Sequence, residues 1–417
     1  MTLSKIGRVV MALVASAALG LGMTACGGGT IGYMWVLGTY YNQISGFTID
    51  DFTGSLTAVI NSPFSSGGTN PVSIVVKPGG RFVFVLNAGS GATGTPGKSG
   101  FSSPGSSIAV FSVGGGGLLT FQQNYFSQGV QPVWAQLDSS GNYLYVVDQY
   151  APDYASTGNG SITAFSIDPS TGRLTLVPNT AILNNQIPQT WFEVGPNPVM
   201  SKIGSGNCLF TMSPNSIFPY AVNSSSGQLT VPTTGPYLVA GSSSLTSINT
   251  STGTSAASYI YLTDGPGNQI FSLQAGGSAC SLAPVAGGAQ TNISGALFPA
   301  NSLTSQSGKF LYVLNQQSVG TGTTNNSNST ISAFTINTQG QLAPLADSTN
   351  NPYAVGSGPV CIAQDPSNQY IYIANRNDST VTGKLVDQNR GYLSNLPRGT
   401  VFSTSSKPSC LAISGNL

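Results

Sequence analysis

The chain has 417 residues, but only 13 are Lys or Arg and 12 are Asp or Glu, so 6% of its residues are charged and the formal net charge is +1. So few cations exclude the basic surface that nucleic-acid binding requires, and the absence of histidine excludes Ser-His-Asp catalysis and His-ligated zinc. The 53 glycines and 25 prolines, together with 40% apolar residues, are typical of a turn-rich β-protein.

The first segment has the layout of a secretory signal. Lys5 and Arg8 precede an uncharged apolar run over residues 9–21, which is too short to span a bilayer. We therefore predict that residues 1–25 are a signal peptide and that the protein is exported.

The segment ends at Cys26, and the small residues just before this cysteine resemble the lipobox of bacterial lipoproteins. The resemblance implies that Cys26 is acylated and becomes the first residue of the mature chain, with residues 26–30 as a flexible tether. Gly27 stands where an Asp would indicate retention at the inner membrane, so an outer-membrane anchor is expected. The alternative is ordinary signal-peptidase cleavage, which leaves a soluble secreted protein.

A short apolar run recurs along the rest of the chain. Each copy has about five β-branched or aromatic residues between polar turn residues, which is typical of a strand buried on both faces. The seven copies are residues 32–38, 81–87, 142–148, 207–213, 258–264, 309–315 and 369–375.

Each run is embedded in a unit of four predicted strands. A strand usually introduced by Pro comes before the run, and a short third strand opened by Gly and an apolar residue ends the unit. Between them lies a strand directly after the run, over residues 44–50, 107–113, 161–167, 216–222, 268–274, 330–336 and 379–385.

The two ends of the chain carry complementary fragments of this unit. The first copy lacks its leading strand, whereas residues 408–413 form a leading strand with nothing after it. Pairing of these fragments would close a ring and remove exposed strand edges, which predicts a seven-bladed β-propeller over residues 31–417. A string of immunoglobulin-like sandwiches is the competing all-β interpretation, but it predicts neither the four-strand period nor the half-blades.

The repeat also resembles a known family. A proline-led strand, the buried run, a strand of the type Ser-Ile-x-Ala-Phe and a Gly-x-Leu turn are most complete over residues 141–176 and 308–345. This pattern is similar to that of the lactonase-type seven-bladed propellers, which include 6-phosphogluconolactonase-like proteins and YVTN-repeat surface propellers. The resemblance implies the fold and makes lactone hydrolysis an expectation. The histidine proposed for catalysis in that family has no counterpart in this chain.

Long loops are predicted on one face of the ring, over residues 88–106, 149–160, 178–197 and 316–329. We therefore expect a ligand to bind on this face, around the central channel.

Glu193 is the sole Glu and stands beside Trp191, where it could bind a sugar or act as a base. Arg376 could hold a carboxylate or a phosphate, and with Glu193 it is the candidate catalytic pair. The alternatives are that Trp191 anchors its loop on the core with Glu193 solvated, and that Arg376 pairs with a neighbouring acid.

Further acids and one aromatic residue are predicted to reach the same face as candidate ligand-binding groups: Asp148, Tyr150, Asp153 and Asp378. The recurring Asn or Asp at the end of each buried run, including Asp148, also suits a side-chain cap of the following loop. Oxygen ligands of this kind could bind calcium, but the sequence has no EF-hand or compact acidic loop, so no metal site is predicted.

Four cysteines remain after Cys26, which permits three disulfide pairings in an exported protein. Cys361 and Cys410 occupy equivalent positions in neighbouring leading strands, and a bridge between them would fasten the closure of the ring. Cys208 and Cys280 would then pair by elimination. Free buried thiols are the alternative, and no CxxC spacing indicates a metal.

Two functions follow from the sequence. The first is a membrane-anchored binding or interaction module that takes a small molecule, glycan or protein on the long-loop face. The second is a lactonase-like hydrolase acting on a sugar lactone outside the cytoplasm. Neither requires a cofactor, nucleic acid is not an expected partner, and a closed ring is compatible with a monomer.

Overall fold

The computed structural model describes residues 29–96, 98, 100–184, 187–251, 258–277, 279–316, 329–347 and 350–415. The predicted signal peptide and Cys26 lie outside these residues. Helix is confined, in the part of the chain that the structure describes, to α1 (Tyr154–Thr157) and two 3-10 turns, Gly115–Gly117 and Ser205–Asn207. No helix in these ranges is long and apolar enough to cross a membrane.

Seven antiparallel sheets form the blades of the ring, and within each blade we name the strand nearest the centre first. The first three blades are built from the strands that follow. Blade 1 contains β35 (Pro408–Gly415), β1 (Thr30–Gly38), β2 (Gln43–Asp50), β3 (Leu56–Ala58) and β4 (Phe64–Ser65); blade 2 contains β5 (Pro71–Val76), β6 (Phe82–Ala88), β7 (Ser106–Val113) and β8 (Leu119–Tyr125); blade 3 contains β9 (Val130–Leu137), β10 (Tyr143–Tyr150), β11 (Gly160–Ile167), β12 (Leu174–Leu176) and β15 (Trp191–Val194).

The other four blades repeat this arrangement. Blade 4 contains β16 (Met200–Gly204), β17 (Cys208–Met212), β18 (Ser216–Val222), β19 (Leu229–Thr230) and β20 (Tyr237–Leu238); blade 5 contains β21 (Leu245–Ser251), β22 (Ser258–Asp264), β23 (Gln269–Gly276) and β24 (Ser281–Thr291); blade 6 contains β25 (Pro299–Thr304), β26 (Phe310–Asn315), β27 (Thr330–Ile336), β28 (Leu342–Pro344) and β29 (Tyr353–Ala354); blade 7 contains β30 (Pro359–Gln364), β31 (Tyr370–Asn375), β32 (Thr380–Val386), β33 (Leu393–Asn395) and β34 (Val401–Ser403).

The ring is closed between the two ends of the chain. The C-terminal strand β35 pairs antiparallel with β1 in blade 1, with Trp35 opposite Ala412 and Val36 opposite Leu411. The innermost strands also contact one another in an unbroken circle, from β35 to β5 and onward to β30, which contacts β35 again. The predicted seven-bladed propeller and its mode of closure are therefore confirmed.

The apolar runs form the second strand of each blade, as predicted, because they fit between two neighbouring sheets. Every residue of β6, β22, β26 and β31 is buried. Burial on both faces removes the polar–apolar alternation of a half-exposed strand and explains the continuous apolar pattern.

A repeated hydrogen bond joins neighbouring blades. An aromatic side chain in the second strand of one blade donates to the carbonyl of a glycine at positive φ in the next blade, where a Cβ would strike a neighbouring ring. The pairs are Trp35 with Gly117, Tyr145 with Gly227, Tyr261 with Gly340, Tyr312 with Gly391, and Tyr372 with Gly54. The last pair links blade 7 to blade 1 and adds to the closure.

One predicted loop is largely strand. Residues 178–197 contain the two-stranded sheet of β13 (Asn179–Asn184) and β14 (Ile187–Gln189), followed by β15 at the outer edge of blade 3. The extended backbone of β15 pairs with β11, which local sequence did not indicate. Most of the predicted loop 316–329 lies outside the described residues.

The cysteines correct one prediction and confirm another. Cys208 at the start of β17 and Cys280 in the turn before β24 form a disulfide with a Cα–Cα distance of 5.5 Å, as predicted. The predicted bridge between Cys361 and Cys410 is wrong, because both are buried free thiols. Their sulfurs point at a common acceptor, the carbonyl of Leu411, at 3.8 Å, and the backbone N–H of Leu411 donates to Sγ of Cys361.

Candidate functional site

A cavity of about 550 Å³ lies on the long-loop face beside the first residues of the innermost strands β35, β5 and β9, a place that we call the mouth of the central channel. Its walls come from blades 1, 2, 3 and 7, close to the ends of their innermost strands. The lining residues are Thr39, Tyr40, Asn42, Thr69, Asn70, Gly89, Ser90, Gly91, Gln131, Arg376 and Lys407.

Two cations, Arg376 and Lys407, lie in this lining, and no carboxylate does. Both side chains are exposed, and their backbones are fixed, since Arg376 N–H donates to Gly358 O and Lys407 O accepts from Thr39 N–H. In a chain with so few charges, two cations at one mouth dominate the local potential and favour an anionic ligand. The remaining lining groups are neutral amides, hydroxyls and the 68% exposed ring of Tyr40.

Asp378 follows Arg376 closely in the sequence, but its carboxylate makes hydrogen bonds within the neighbouring loops. Its carboxylate accepts from the backbone N–H of Ser357 at 2.8 Å and from the hydroxyl of Thr380 at 2.7 Å. These bonds fasten the start of β32 to the segment before β30 and leave the side chain off the cavity lining.

Asp148 ends the central part of β10 and is completely buried. Its carboxylate accepts hydrogen bonds from Ser127 Oγ at 2.5 Å and from Ser161 Oγ at 3.5 Å. Burial raises the pKa of Asp148 to about 7, although hydrogen bonds from Ser127, the Gly129 N–H, Ser161 and Thr163 partly oppose this shift.

Tyr150 and Asp153 lie just beyond Asp148. Tyr150 packs edge-on against Phe101 at 5.4 Å and against Tyr154 at 4.7 Å between ring centroids. Asp153 precedes α1, and partial burial together with the nearby Glu193 raises the pKa of its carboxyl. These residues join the two long loops of blades 2 and 3.

Glu193 and Trp191 lie on β15, at the outer edge of blade 3. Glu193 Oε1 accepts from Asn159 Nδ2 at 2.7 Å, and its backbone carbonyl accepts from Tyr220 OH at 2.7 Å. Trp191 is half-buried, whereas its neighbour Phe192 is buried against Tyr220. Glu193 therefore faces Asn159 on the rim of the blade, and it does not line the central cavity with Arg376.

Sequence reasoning missed two residues: Lys407, which lines this cavity, and Ser127, which lines a smaller cavity between blades 2 and 3. Lys407 directly precedes the proline of the closing strand β35, a place that puts it at the channel mouth once the ring is closed. Ser127 lies in the short connection between β8 and β9, and its hydroxyl is one of many in this serine-rich chain. Only the folded contact with Asp148 distinguishes it.

No site for a metal is evident in the described ranges, which hold no group of three or more Cys, Asp or Glu side chains placed to bind one. The cavity at the channel mouth offers cations, amides and hydroxyls, which suit an organic anion better than a metal ion.

Comparison with known proteins gives a consistent picture of the fold. The profile of the family described as "Lactonase, 7-bladed beta-propeller" matches residues 30–187 and 217–412. No curated protein matches the chain.

Solved structures extend this comparison. One is a Bacteroides fragilis protein provisionally described as a 6-phosphogluconolactonase, with 17% identity, a TM-score of 0.67, and coverage of 92% of this chain and 98% of its own. Another is a periplasmic gluconolactonase from Pseudomonas aeruginosa, with 16% identity, a TM-score of 0.67, and coverage of 92% and 99%. At such identities the likeness is one of fold.

Proposed function

Because this chain belongs to the lactonase family of seven-bladed β-propellers, we propose that its function resides at the mouth of the central channel, as a binding module for a small organic anion such as a sugar acid. The observation that carries the proposal is the cavity of about 550 Å³ with Arg376 and Lys407 in its wall and no carboxylate beside them.

The cavity chemistry supports a polar ligand. The planar guanidinium of Arg376 can hold a carboxylate with two parallel hydrogen bonds, and Lys407 adds a second charge. The amide oxygens of Asn42 and Gln131 accept from the backbone N–H groups of Asn70 and Ala92, which orients their NH₂ groups as donors to a polyol. The exposed ring of Tyr40 offers a flat face for the apolar side of a sugar.

Lactone hydrolysis is the second candidate, favoured by the family match. Opening a lactone requires a base that activates water and donors that stabilise an oxyanion. Arg376 can serve as a donor, but Glu193 lies on β15 at the rim of blade 3, and the described residues of the cavity wall include no carboxylate. The geometry of this cavity therefore supports binding better than turnover.

Export and anchoring belong to the same proposal. The apolar run of residues 9–21 and the lipobox-like segment before Cys26 support a lipid-anchored protein at the outer membrane, and the Cys208–Cys280 disulfide suits an oxidising compartment. Replacing Cys26 by Ser should move the protein from the membrane fraction to the soluble fraction. Unchanged membrane association would contradict the anchor.

The binding test compares anionic and neutral sugars by calorimetry on the mature protein. Gluconate and glucuronate should bind, and glucose should not. Arg376→Ala should weaken binding by about 10- to 100-fold, since a hydrogen bond to a charged group contributes about 1.5–3 kcal/mol. Arg390→Ala is the matched control, because this arginine is exposed in the tight β32–β33 turn at the opposite face of the same blade.

The proposed binding site would be overturned if Arg376→Ala and Arg390→Ala weakened gluconate binding equally. It would also be overturned if glucose bound as tightly as gluconate. Acid release from a panel of gluconolactones and homoserine lactones measures the second candidate separately. Turnover that Arg376→Ala abolishes would favour hydrolysis at the channel mouth over binding alone.

A further inference from the structure

A second cavity, of about 110 Å³, lies between blades 2 and 3 on the long-loop face, next to the channel mouth. Val130 lines this cavity, and the following residue, Gln131, lines the larger one. The rings of Phe101 and Phe126 form apolar parts of its wall. The rest is rich in serine hydroxyls, and one of these belongs to the half-buried Ser127.

Ser127 connects the cavity to the carboxylate beneath it. Its Oγ donates a hydrogen bond to Asp148 Oδ1 at 2.5 Å, and Asp148 has no exposed surface. The other groups facing this carboxylate are the Gly129 N–H and the hydroxyls of Ser161 and Thr163, so no charged side chain is among them. The structure thus places an accessible hydroxyl on a buried carboxylate.

The equivalent positions in other blades show that a side chain can cap the following loop without a serine hydroxyl bound to a buried carboxylate. Asn87 and Asn375 occupy the same place after the buried run and cap their loops with amides. Asp264 is an acid at this place, but its carboxylate accepts from backbone N–H groups, those of Ser243 and Gly267 among them. Among these four positions, Asp148 is the one that accepts from a serine hydroxyl lining a cavity.

We propose that Ser127 and Asp148 are a nucleophile and its general base, and that they cleave small carboxylic esters in this cavity. A serine nucleophile requires a neighbouring base with a pKa near the working pH, a role that histidine fills in many hydrolases. This chain has no histidine, and burial gives Asp148 a pKa of about 7, which is the value a histidine would supply.

The reaction needs no further reagent than the ester and water. Ser127 Oγ attacks the ester carbonyl while its proton passes to the Asp148 carboxylate, and the departing alkoxide takes that proton and leaves as the alcohol. Water then attacks the acyl group on Ser127 with Asp148 again as base, and the carboxylic acid departs as Ser127 regains its proton. Ser102 and Ser106 line the same cavity, and in this proposal their hydroxyls donate to the oxyanion.

The test uses the full chain with two probes, p-nitrophenyl acetate as substrate and a small alkyl fluorophosphonate as covalent label. The label should attach to Ser127, located by peptide mass mapping, and Ser127→Ala should lose both the adduct and ester cleavage. Asp148→Asn should slow labelling by about 100-fold or more, as expected for loss of a general base. This variant should fold, because Asn stands at the equivalent place in blades 2, 6 and 7.

Asp264→Asn is the matched control, since it changes the same structural position in blade 5 without touching the cavity between blades 2 and 3. It should label at the wild-type rate. The wild-type rate should rise with pH and level off above about pH 7, when Asp148 is ionised. An adduct at another residue, an unchanged rate in Asp148→Asn, or equal loss in Asp264→Asn would overturn the proposal, whatever the outcome for sugar acids at the channel mouth.

Discussion

Replacing Asp148 by Asn should remove about 3 kcal/mol of the change in unfolding free energy between pH 5 and 8. In the folded protein, burial raises the pKa of Asp148 from its ordinary value of 3.8 to about 7. The chain has no histidine, so no imidazole titrates in this range. The carboxyl of Asp148 therefore changes its charge on folding near neutral pH. The hydrogen bond with Cys410 lowers the pKa of the Cys361 thiol and burial lowers that of Lys202, but both residues are present in the wild type and in the variant.

The sign follows from the difference in proton binding. Between about pH 4 and 7 the folded protein keeps a proton on Asp148, while the unfolded chain has lost it. The free energy of unfolding is therefore highest at the acidic end and falls as the pH rises toward 7. A shift of about 3 units at 1.36 kcal/mol per unit gives about 4 kcal/mol in all, of which roughly 3 kcal/mol falls between pH 5 and 8.

Urea unfolding followed by tryptophan fluorescence at pH 5, 6, 7 and 8 measures this quantity. Across the series the wild type should lose about 3 kcal/mol more unfolding free energy than Asp148→Asn, and the variant should be the more stable protein at pH 8. Asp153, whose pKa is also raised, is present in both proteins, so its contribution cancels in the comparison. Parallel slopes in the two proteins would refute the assignment.

Three further changes test the ring itself by urea unfolding at pH 7. Replacing Cys208 and Cys280 by Ser should cost about 4 kcal/mol, because their disulfide spans 72 residues and restricts the unfolded chain; an unchanged midpoint would contradict this. Tyr372→Phe should cost about 1–3 kcal/mol, since it leaves the Gly54 carbonyl without its inter-blade donor, and a smaller loss would mean that water replaces the hydroxyl. Gly54→Ala should cost more than Gly79→Ala, because both glycines have positive φ but only the Cβ at Gly54 meets a neighbouring ring.

The fold could be predicted because one pattern is repeated seven times. Each repeat gives the same order of strands, so an ambiguous copy is identified from clear ones. The strand predicted at residues 330–336 is observed as Thr330–Ile336, and the one predicted at 107–113 as Ser106–Val113. The closure of the ring could also be predicted, because the first repeat lacks a leading strand and the C-terminal segment supplies one.

The candidate functional residues were harder to predict, because their positions depend on contacts between distant segments. Arg376 was placed on the correct face from its position after a buried run, whereas Glu193 was read as part of a loop. Its strand, β15, forms only by pairing with β11 about 30 residues earlier, and nothing in the local residues distinguishes that strand from an extended loop. The thiols of Cys361 and Cys410 are likewise neighbours in the ring, but their orientation is set by backbone geometry that a repeat pattern does not contain.

The buried position of Asp148 favours a role in proton transfer over a role as a loop cap. If this side chain only capped its loop, Asn would suffice, as Asn315 and Asn375 demonstrate at the equivalent places, and it would spare the protein the cost of ionising a buried acid near pH 7. At Asp264, the acid in the equivalent place of blade 5, the carboxylate accepts from the backbone N–H groups of Ser243 and Ser244. Asp148 instead accepts mainly from hydroxyls, which lower its pKa only in part, so burial keeps that pKa near neutrality. A destabilising acid beside a cavity serine is therefore better explained by proton transfer than by capping.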